Sequence, residues 1–442
     1  MDQENKKNNE DSNDTNQETI QFNVGGPRAH LILIVMSLLL MINFMDRQVL
    51  SSVLELMKLD LHLSDTQAGF LQTAFLISMA LFAYPVAYMI DCWSRRKAAT
   101  IMALIWSVFT FITGLAHNFL GVLIPRILVG AGESAFQAGG TAWITAAYPK
   151  ALRARVMGIF NAFIPLGAAL GVILGGYLAT RFDSWRAPFY IFAIPGIVLG
   201  LAAWFLKDYK TTDQCDETGN QVSILAAAVI LFKIPTLKWL YIGYAMQNAM
   251  IFSFMTWSPA FIMRAQGATA AEAGMIVGVM SIIGIFSAPF GGILADKWQR
   301  KNPQARMLLP ALTLFASTIF LFLGILSDFE GLGLVWGGLY GLCLMLGLPA
   351  LSAATQDVVP PSMKGTAWGL NVFCQYVLGA GWAPLIVGIL SDVMGGGSAG
   401  LKISLMITCV TGVIGSILFW VGSKHYPEDE ERVRHFTLQN EK

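Results

Sequence analysis

The sequence predicts an all-α membrane protein: twelve transmembrane helices in two six-helix repeats, with both termini in the cytoplasm. Three observations lead there. The first is composition. Of 442 residues, 55% are hydrophobic and only 13% are charged, against about 25% charged in an average soluble domain. That is too little polar surface for a soluble enzyme, a disordered scaffold or a secreted disulfide module. The net charge of +1 gives no footprint for a nucleic-acid partner. The second is patterning: from Ala29 onward, apolar runs alternate with short charged breaks, and a run of about 20 residues crosses a bilayer. The third is an internal repeat. Asp91-Cys92-Trp93-Ser94-Arg95-Arg96 recurs as Asp296-Lys297-Trp298-Gln299-Arg300-Lys301. Pro149, Arg153 and Gly158 likewise recur as Pro360, Lys364 and Gly369.

Residues 1–28 are dominated by Asn, Asp, Glu, Gln and Lys. Such a segment has nothing to bury and is expected to be a disordered cytoplasmic tail. Six helices follow within a first bundle, 29–207, near 30–56, 66–90, 97–117, 120–147, 154–181 and 186–207. The longest polar break, 208–236, is expected to be a cytoplasmic linker. A second bundle, 237–424, carries helices near 237–264, 271–295, 305–327, 331–358, 365–392 and 400–423. Residues 425–442 form a second cytoplasmic tail. Orientation comes from loop charge: with the N-terminus inside, the inner loops hold roughly three times as many Lys and Arg as the outer ones. Repeated six-helix halves are an architecture of secondary transporters.

Motifs for chemistry are few. There is no GxxxxGK[ST] and no HExxH. The five cysteines (92, 215, 343, 374 and 409) include no CxxC and are expected to be packing residues, not a metal site. Gly396-Gly397-Ser398-Ala399-Gly400 matches GxSxG. That motif works on a strand-to-helix turn beside a histidine base, and here it falls in a loop between helices. No catalytic residue, metal ligand or cofactor is expected.

The informative residues are charges inside apolar runs, because each costs a few kcal/mol at a helix centre. Four lie in the first bundle: Asp46 and Arg47 on its first helix, Arg126 and Glu133 on its fourth. Arg126, Gly130, Glu133 and Gln137 fall on one helical stripe, and Asn43 sits one turn before Asp46. These residues are expected to face one cavity. They are either internal ion pairs that hold helices together or a proton-carrying site. A buried carboxylate is pushed up by desolvation and pulled down by a neighbouring cation, so an arginine that moves can switch it. Arg47 and Arg126 stay charged and are expected to hold an anionic substrate or the carboxylates. Polar, uncharged candidates for substrate contact in the second bundle are Gln247, Asn248, Asn371, Gln375 and Tyr376.

The repeated clusters, with Asp91, Arg95, Arg96, Asp296, Arg300 and Lys301, are expected to latch the cytoplasmic side. Gly158, Gly167, Gly171 and Gly175 on the fifth helix are spaced for close helix packing, which at a seam between halves seals a closed gate.

These residues resemble the major facilitator superfamily, whose signature between its second and third helices is G-x3-D-[RK]-x-G-[RK]-[RK]. The copy Gly292 to Lys301 keeps the first Gly, the Asp and three bases, with Gln299 at the later Gly; the other copy departs at Ala87, Cys92 and Ser94. The resemblance covers nearly all of 29–424. Within the superfamily the chain is similar to the Spinster-like branch, which includes sphingolipid and lysolipid transporters. The matching stretches are Asn43-Phe44-Met45-Asp46-Arg47, then Leu63-Ser64-Asp65 with Gly69 and Leu71-Gln72-Thr73. Arg126, Gly132-Glu133-Ser134 and Ile164-Pro165-Leu166-Gly167 follow. The organic anion:proton symporter branch shares the Asp-Arg pair and the fourth-helix Arg and Glu. In both branches the resemblance implies that Asp46 and Glu133 take part in proton coupling. The fifth helix resembles the antiporter signature G-x8-G-x3-G-P-x2-G-G, with Val172 at the Pro position.

The function this implies is a monomeric, proton-coupled secondary active transporter of the cell (inner) membrane, with the superfamily's fold and alternating access. Its partners are protons, the lipid bilayer and a small molecule, either lipid-like and amphipathic or a soluble organic anion. The rival from another class is a proton-independent facilitator or channel, or a non-transporting receptor on the same scaffold.

Overall fold

Helix signals in the sequence become helix ends in the structure. The computed structural model describes residues 26–92, 94–208, 229–360 and 363–440. Most of the predicted tail 1–28 and linker 208–236, and the Asp91 side chain, lie outside the described residues. Pro27 opens α1 (Pro27–Asp60), where its missing N–H costs nothing. Ser64 and Gln67 cap α2 (Asp65–Cys92) reciprocally: Gln67 N donates to Ser64 Oγ at 3.1 Å and Ser64 N to Gln67 Oε1 at 3.0 Å. Ser94 caps α3 (Arg95–Gly114), and Asn118 caps α4 (Phe119–Glu133). A break at Ser134–Ala135 separates α4 from α5 (Phe136–Ala147), and α6 (Lys150–Arg181) and α7 (Ala187–Trp204) complete this half.

The second half runs through α8 (Pro235–Gln266), α9 (Ala270–Gln299), α10 (Ala305–Leu326) and α11 (Leu332–Asp357). Then α12 (Lys364–Cys374) widens into a π-helical turn, Gln375–Ala380, before α13 (Ala383–Val393); α14 (Gly397–Ser423) and a short α15 (Tyr426–Asn440) follow. No strand occurs among the described residues. Among the described residues, eleven stretches are long and apolar enough to cross a membrane, with α4 and α5 counted as one and α12 to α13 as another. The 32-residue α8 is not among them. It occupies the predicted span 237–264, but Gln247, Asn248, Ser253, Thr256 and Ser258 dilute its apolar run.

The internal repeat reappears as a repeat of packing. In the first half α1 lies on α6 and α7, α2 on α4, and α3 on α4 and α7. In the second half α8 lies on the π-helical turn and α14, α9 on α11, and α10 on α11 and α14. The halves meet where α6 touches α9, α2 touches α13 and α1 touches α8.

Glycine permits the closest of these approaches, and here one expectation is corrected. A Cβ on Gly167, Gly171 or Gly175 would strike Met41 O, Met45 O or Ser52 Oγ, so these glycines press α6 onto α1 within one half. The seam between halves is made instead by the next residue, Gly176, against Ala270. Gly158 makes no packing contact: a Cβ there meets nothing within 4 Å. Gly171→Val is therefore expected to overpack the α1–α6 contact and cost about 1–3 kcal/mol. Gly158→Ala should be tolerated. Melting temperatures of the two variants in detergent check both.

Candidate functional site

The apolar runs of α1, α3 and α4 bring four charges together with few partners. Arg126 is 0% exposed, Glu133 1% and Asp46 2%. Arg47 Nε donates to Glu133 Oε2 at 2.8 Å, and the Arg47 guanidinium lies 4.4 Å from the centre of the Phe44 ring. Thr110 of α3 donates its hydroxyl to Asp46 Oδ2. Glu133 lies beside Asp46, and both carboxylates act electrostatically on Arg126. With both carboxylates ionised, the four formal charges sum to zero.

Arg126 is placed by backbone contact. Gly130, one turn later on α4, lies against Phe75 O and lets α2 and α4 touch. The Arg126 guanidinium then sits 4.6 Å from the centre of the Phe75 ring. None of its three nitrogens has a hydrogen-bond partner in the protein, and neither do Glu133 Oε1, Asp46 Oδ1 or the Asn43 amide. A buried guanidinium that only held helices together would spend its five donors on them. Gln137 departs from the expected stripe. The break at Ser134–Ala135 ends the helical register, and Gln137 is exposed on α5.

In the second half, Asn248 Nδ2 donates to Tyr244 O at 2.9 Å and to Gln375 Oε1 at 3.2 Å. Gln375 opens the π-helical turn, and Tyr376 packs on Phe252 with ring centres 5.8 Å apart. Such turns recur at functional sites. Asn371 is 0% exposed with both amide atoms unpartnered, and Gln247 Oε1 is also buried without a partner.

The two faces of the bundle differ. At the face where Pro27 enters and Tyr426 leaves, the bonds seen among the described residues stay within a half. Ser94 donates to Asp208, and Arg95 Nη1 to Ala142 O at 2.9 Å. Arg96 lies over Trp204. Asp296 pairs with Arg306 at 3.2 Å, and Arg306 pairs with Asp357 at 2.5 Å; Arg300 and Lys301 are exposed. Thus the bonds seen for Arg95, Arg96 and Asp296 run inside their own halves, and Arg300 and Lys301 face outward. The buried Tyr426 donates to Asp357 Oδ2 at 2.7 Å, and burial beside that carboxylate pushes its hydroxyl well above the usual phenol range. Asp429 accepts from Thr236 N and Oγ1, tying α15 to the start of α8.

At the opposite face, a network invisible in the sequence joins the halves. Arg264 of α8 forks onto Asp65 of α2, with Nη2–Oδ1 2.7 Å and Nη1–Oδ2 2.8 Å, and its Nε reaches Glu55 of α1 at 2.8 Å. Lys58 adds an ion pair to Asp65 at 2.6 Å, and Ser391 of α13 donates to Asp65 at 2.5 Å. Each of these charges lies near a helix end, where charge is ordinary; Asp65 stands in a stretch that resembles the Spinster-like branch, but nothing local pairs it with Arg264 or Glu55. The bundle is closed at this face. At the other face the ends of α6 and α12 are largely exposed, including Gly158, Gly365 and Gly369.

A membrane-embedded two-half helical bundle sealed at one face, with buried titratable groups between its ends, defines an alternating-access membrane transporter. The chain belongs to the Major Facilitator Superfamily, whose model matches residues 36–384. Its relatives are transporters, not enzymes. It is 24% identical over 438 residues to protein spinster homolog 1 of Xenopus tropicalis, covering 92% of this chain and 82% of that one. It is 26% identical over 366 residues to a hexuronate transporter of Bacillus subtilis (strain 168), covering 80% and 86%. Its fold matches the crystal structure of a bacterial homolog of the human lysosomal transporter Spinster, inward-facing and unoccupied, with TM-score 0.82 and 22% identity over 92% of this chain and 99% of that one.

Proposed function

We propose that this chain is a proton-coupled secondary transporter of an anionic small molecule. The observation that carries the reading is Arg126, a fully buried cation with no hydrogen-bond partner in the protein, beside two buried carboxylates. Asp46 and Glu133 carry the proton. Arg47 holds Glu133 when it is ionised, and Arg126 holds the substrate's anionic group or the carboxylates in turn. Asn43 and the second-half group Gln247, Asn248, Asn371, Gln375 and Tyr376 contact the uncharged part of the substrate, and Gln137 lines the approach. The Asp91 and Asp296 clusters latch the halves when the opposite state forms.

Bundles 29–207 and 237–424 move as the two halves around linker 208–236. The chain spans the cell (inner) membrane twelve times as a monomer, with α8 as the seventh span and both tails cytoplasmic. The open face is then the cytoplasmic one. The substrate is amphipathic and lipid-like, as likeness to the spinster proteins favours. A second reading, a soluble organic acid, is favoured by the likeness to a hexuronate transporter and by the two arginines.

The test is a thermal-shift panel on purified protein: lysophospholipids, sphingoid bases, sugar acids, aromatic acids and siderophores, each at two pH values. A ligand at about 100 times its Kd adds about 2.7 kcal/mol to the native state. Stabilisation by one class, changing with pH, is the expected result. A flat panel removes the anion-binding role from Arg126.

A further inference from the structure

Two of the contacts that join the halves at the closed face share one geometry. In one, α2 meets α13: a Cβ on Gly69 would strike Pro384 O, one on Gly388 would strike Asp65 O, and Asp392 caps the start of α2. Its Oδ1 accepts from Asp65 N at 3.1 Å and its Oδ2 from Thr66 N at 2.8 Å and Thr66 Oγ1 at 2.6 Å. In the other, α9 meets α6: Gly274 lies against Val172 O, Gly176 against Ala270 O, and Thr180 Oγ1 accepts from Ala271 N at 3.0 Å. The register is the same in both. Pro384, Gly388 and Asp392 stand one turn apart, as do Val172, Gly176 and Thr180.

Their chemistry is not the same. At the first seam Arg264 of α8 and Glu55 and Lys58 of α1 gather around Asp65, and the start of α2 takes its carboxylate cap from the opposite half. In the second seam, α9 is capped by its own Thr269 and Glu272, and only a neutral hydroxyl crosses. Parting the first seam strips a helix cap and separates a forked Arg–carboxylate pair, which breaks charge-assisted bonds. Parting the second costs one neutral hydrogen bond.

We infer that the charged seam alone is the lock of this face: Arg264, Asp65 and Asp392 set how often it opens, and the α6–α9 seam follows. This rests on the alternating-access reading.

The test uses spin-label distances in full-length protein in proteoliposomes, with its own five cysteines replaced. Labels at Leu59 and Val393 span the charged seam, and labels at Phe182 and Met275 span the neutral one; all four residues are exposed. Arg264→Gln breaks the fork. Asp392→Asn removes the charge and leaves one acceptor oxygen for the three donors that bond the carboxylate. Each is expected to raise the population with the face open by about tenfold: Arg264→Gln leaves the buried Asp65 and Glu55 without their guanidinium, and Asp392→Asn weakens the cap that α2 takes from the opposite half. The half-saturating concentration for substrate entering from this face falls in parallel. High salt favours the open population in wild type and has less effect in Arg264→Gln. Thr180→Val leaves the distances as in wild type. If Thr180→Val opens the face as much as Arg264→Gln does, the lock is not in the charged seam. If Arg264→Gln and Asp392→Asn, both eluting as monodisperse protein, keep wild-type distances, the inference is likewise overturned. Wild-type transport with no widening at either seam would sink the alternating-access reading itself.

Discussion

Arg126→Met is expected to lower uptake about 100-fold with little change in stability. The side chain is fully buried against Phe75 and forms no hydrogen bond with the protein. Its removal therefore breaks no bond in the fold. Replacing a whole buried ion pair by apolar groups is often neutral or stabilising by about 1–4 kcal/mol, whereas removing one partner alone costs about 3–5 kcal/mol through the charge left behind. The cluster is left with two carboxylates and one cation, Arg47, and the excess negative charge is relieved by a bound proton. Function suffers in proportion to what Arg126 gives the substrate. A hydrogen bond to a charged group contributes about 1.5–3 kcal/mol, so losing one or two lowers uptake about 100-fold. Melting curves and initial rates in proteoliposomes measure the two effects on one preparation. A large loss of stability together with activity would mean that Arg126 serves packing.

Glu133→Gln is expected to uncouple transport from the proton gradient without stopping exchange. Gln keeps the shape and can still accept from Arg47 Nε, which now bonds Glu133 at 2.8 Å, but it cannot take up or release a proton. Wild-type uptake accelerates when a pH gradient is imposed. In the variant, the imposed gradient changes the initial rate by no more than about twofold, while exchange of labelled for unlabelled substrate continues. Asp46→Asn provides the comparison, because its hydrogen bond comes from the neutral Thr110 and not from a cation. If gradient-driven uptake by Glu133→Gln equals wild type, the proton is carried elsewhere.

What could be read from the chain depended on whether a residue was unusual where it stood. Asp46, Arg47, Arg126 and Glu133 interrupt long apolar runs, and a charge there has a price that makes it visible. Helix positions were visible for the same reason, since bilayer thickness imposes run length. Thr110 and Phe75 were not, because hydroxyls and rings are common in membrane helices and their roles exist only once α2 and α3 pack beside α4. The register of Gln137 was lost to a break at Ser134–Ala135 that carries no proline. Glu55, Asp65, Arg264 and Asp392 are ordinary charges near helix ends, far apart in sequence, and only tertiary packing makes them one network. The glycines of α6 showed their spacing but not their partners, so α1 stands where a seam between halves was expected.

The polarity of α8 bears on how the chain is made. A ribosome feeding this protein into a translocon releases α8 with no partner yet synthesised in its own half. On composition it falls short of the eleven candidate spans among the described residues. Its two principal neighbours there, the π-helical turn and α14, emerge more than a hundred residues later. Until then its amides face either lipid, at a cost of several kcal/mol for each unsatisfied group, or the shelter of the translocon or of α1. Integration of the second half is thus expected to be a delayed, collective event. A nascent chain stopped at Gln266 should leave α8 accessible to aqueous reagents, and one carried through Ser423 should not.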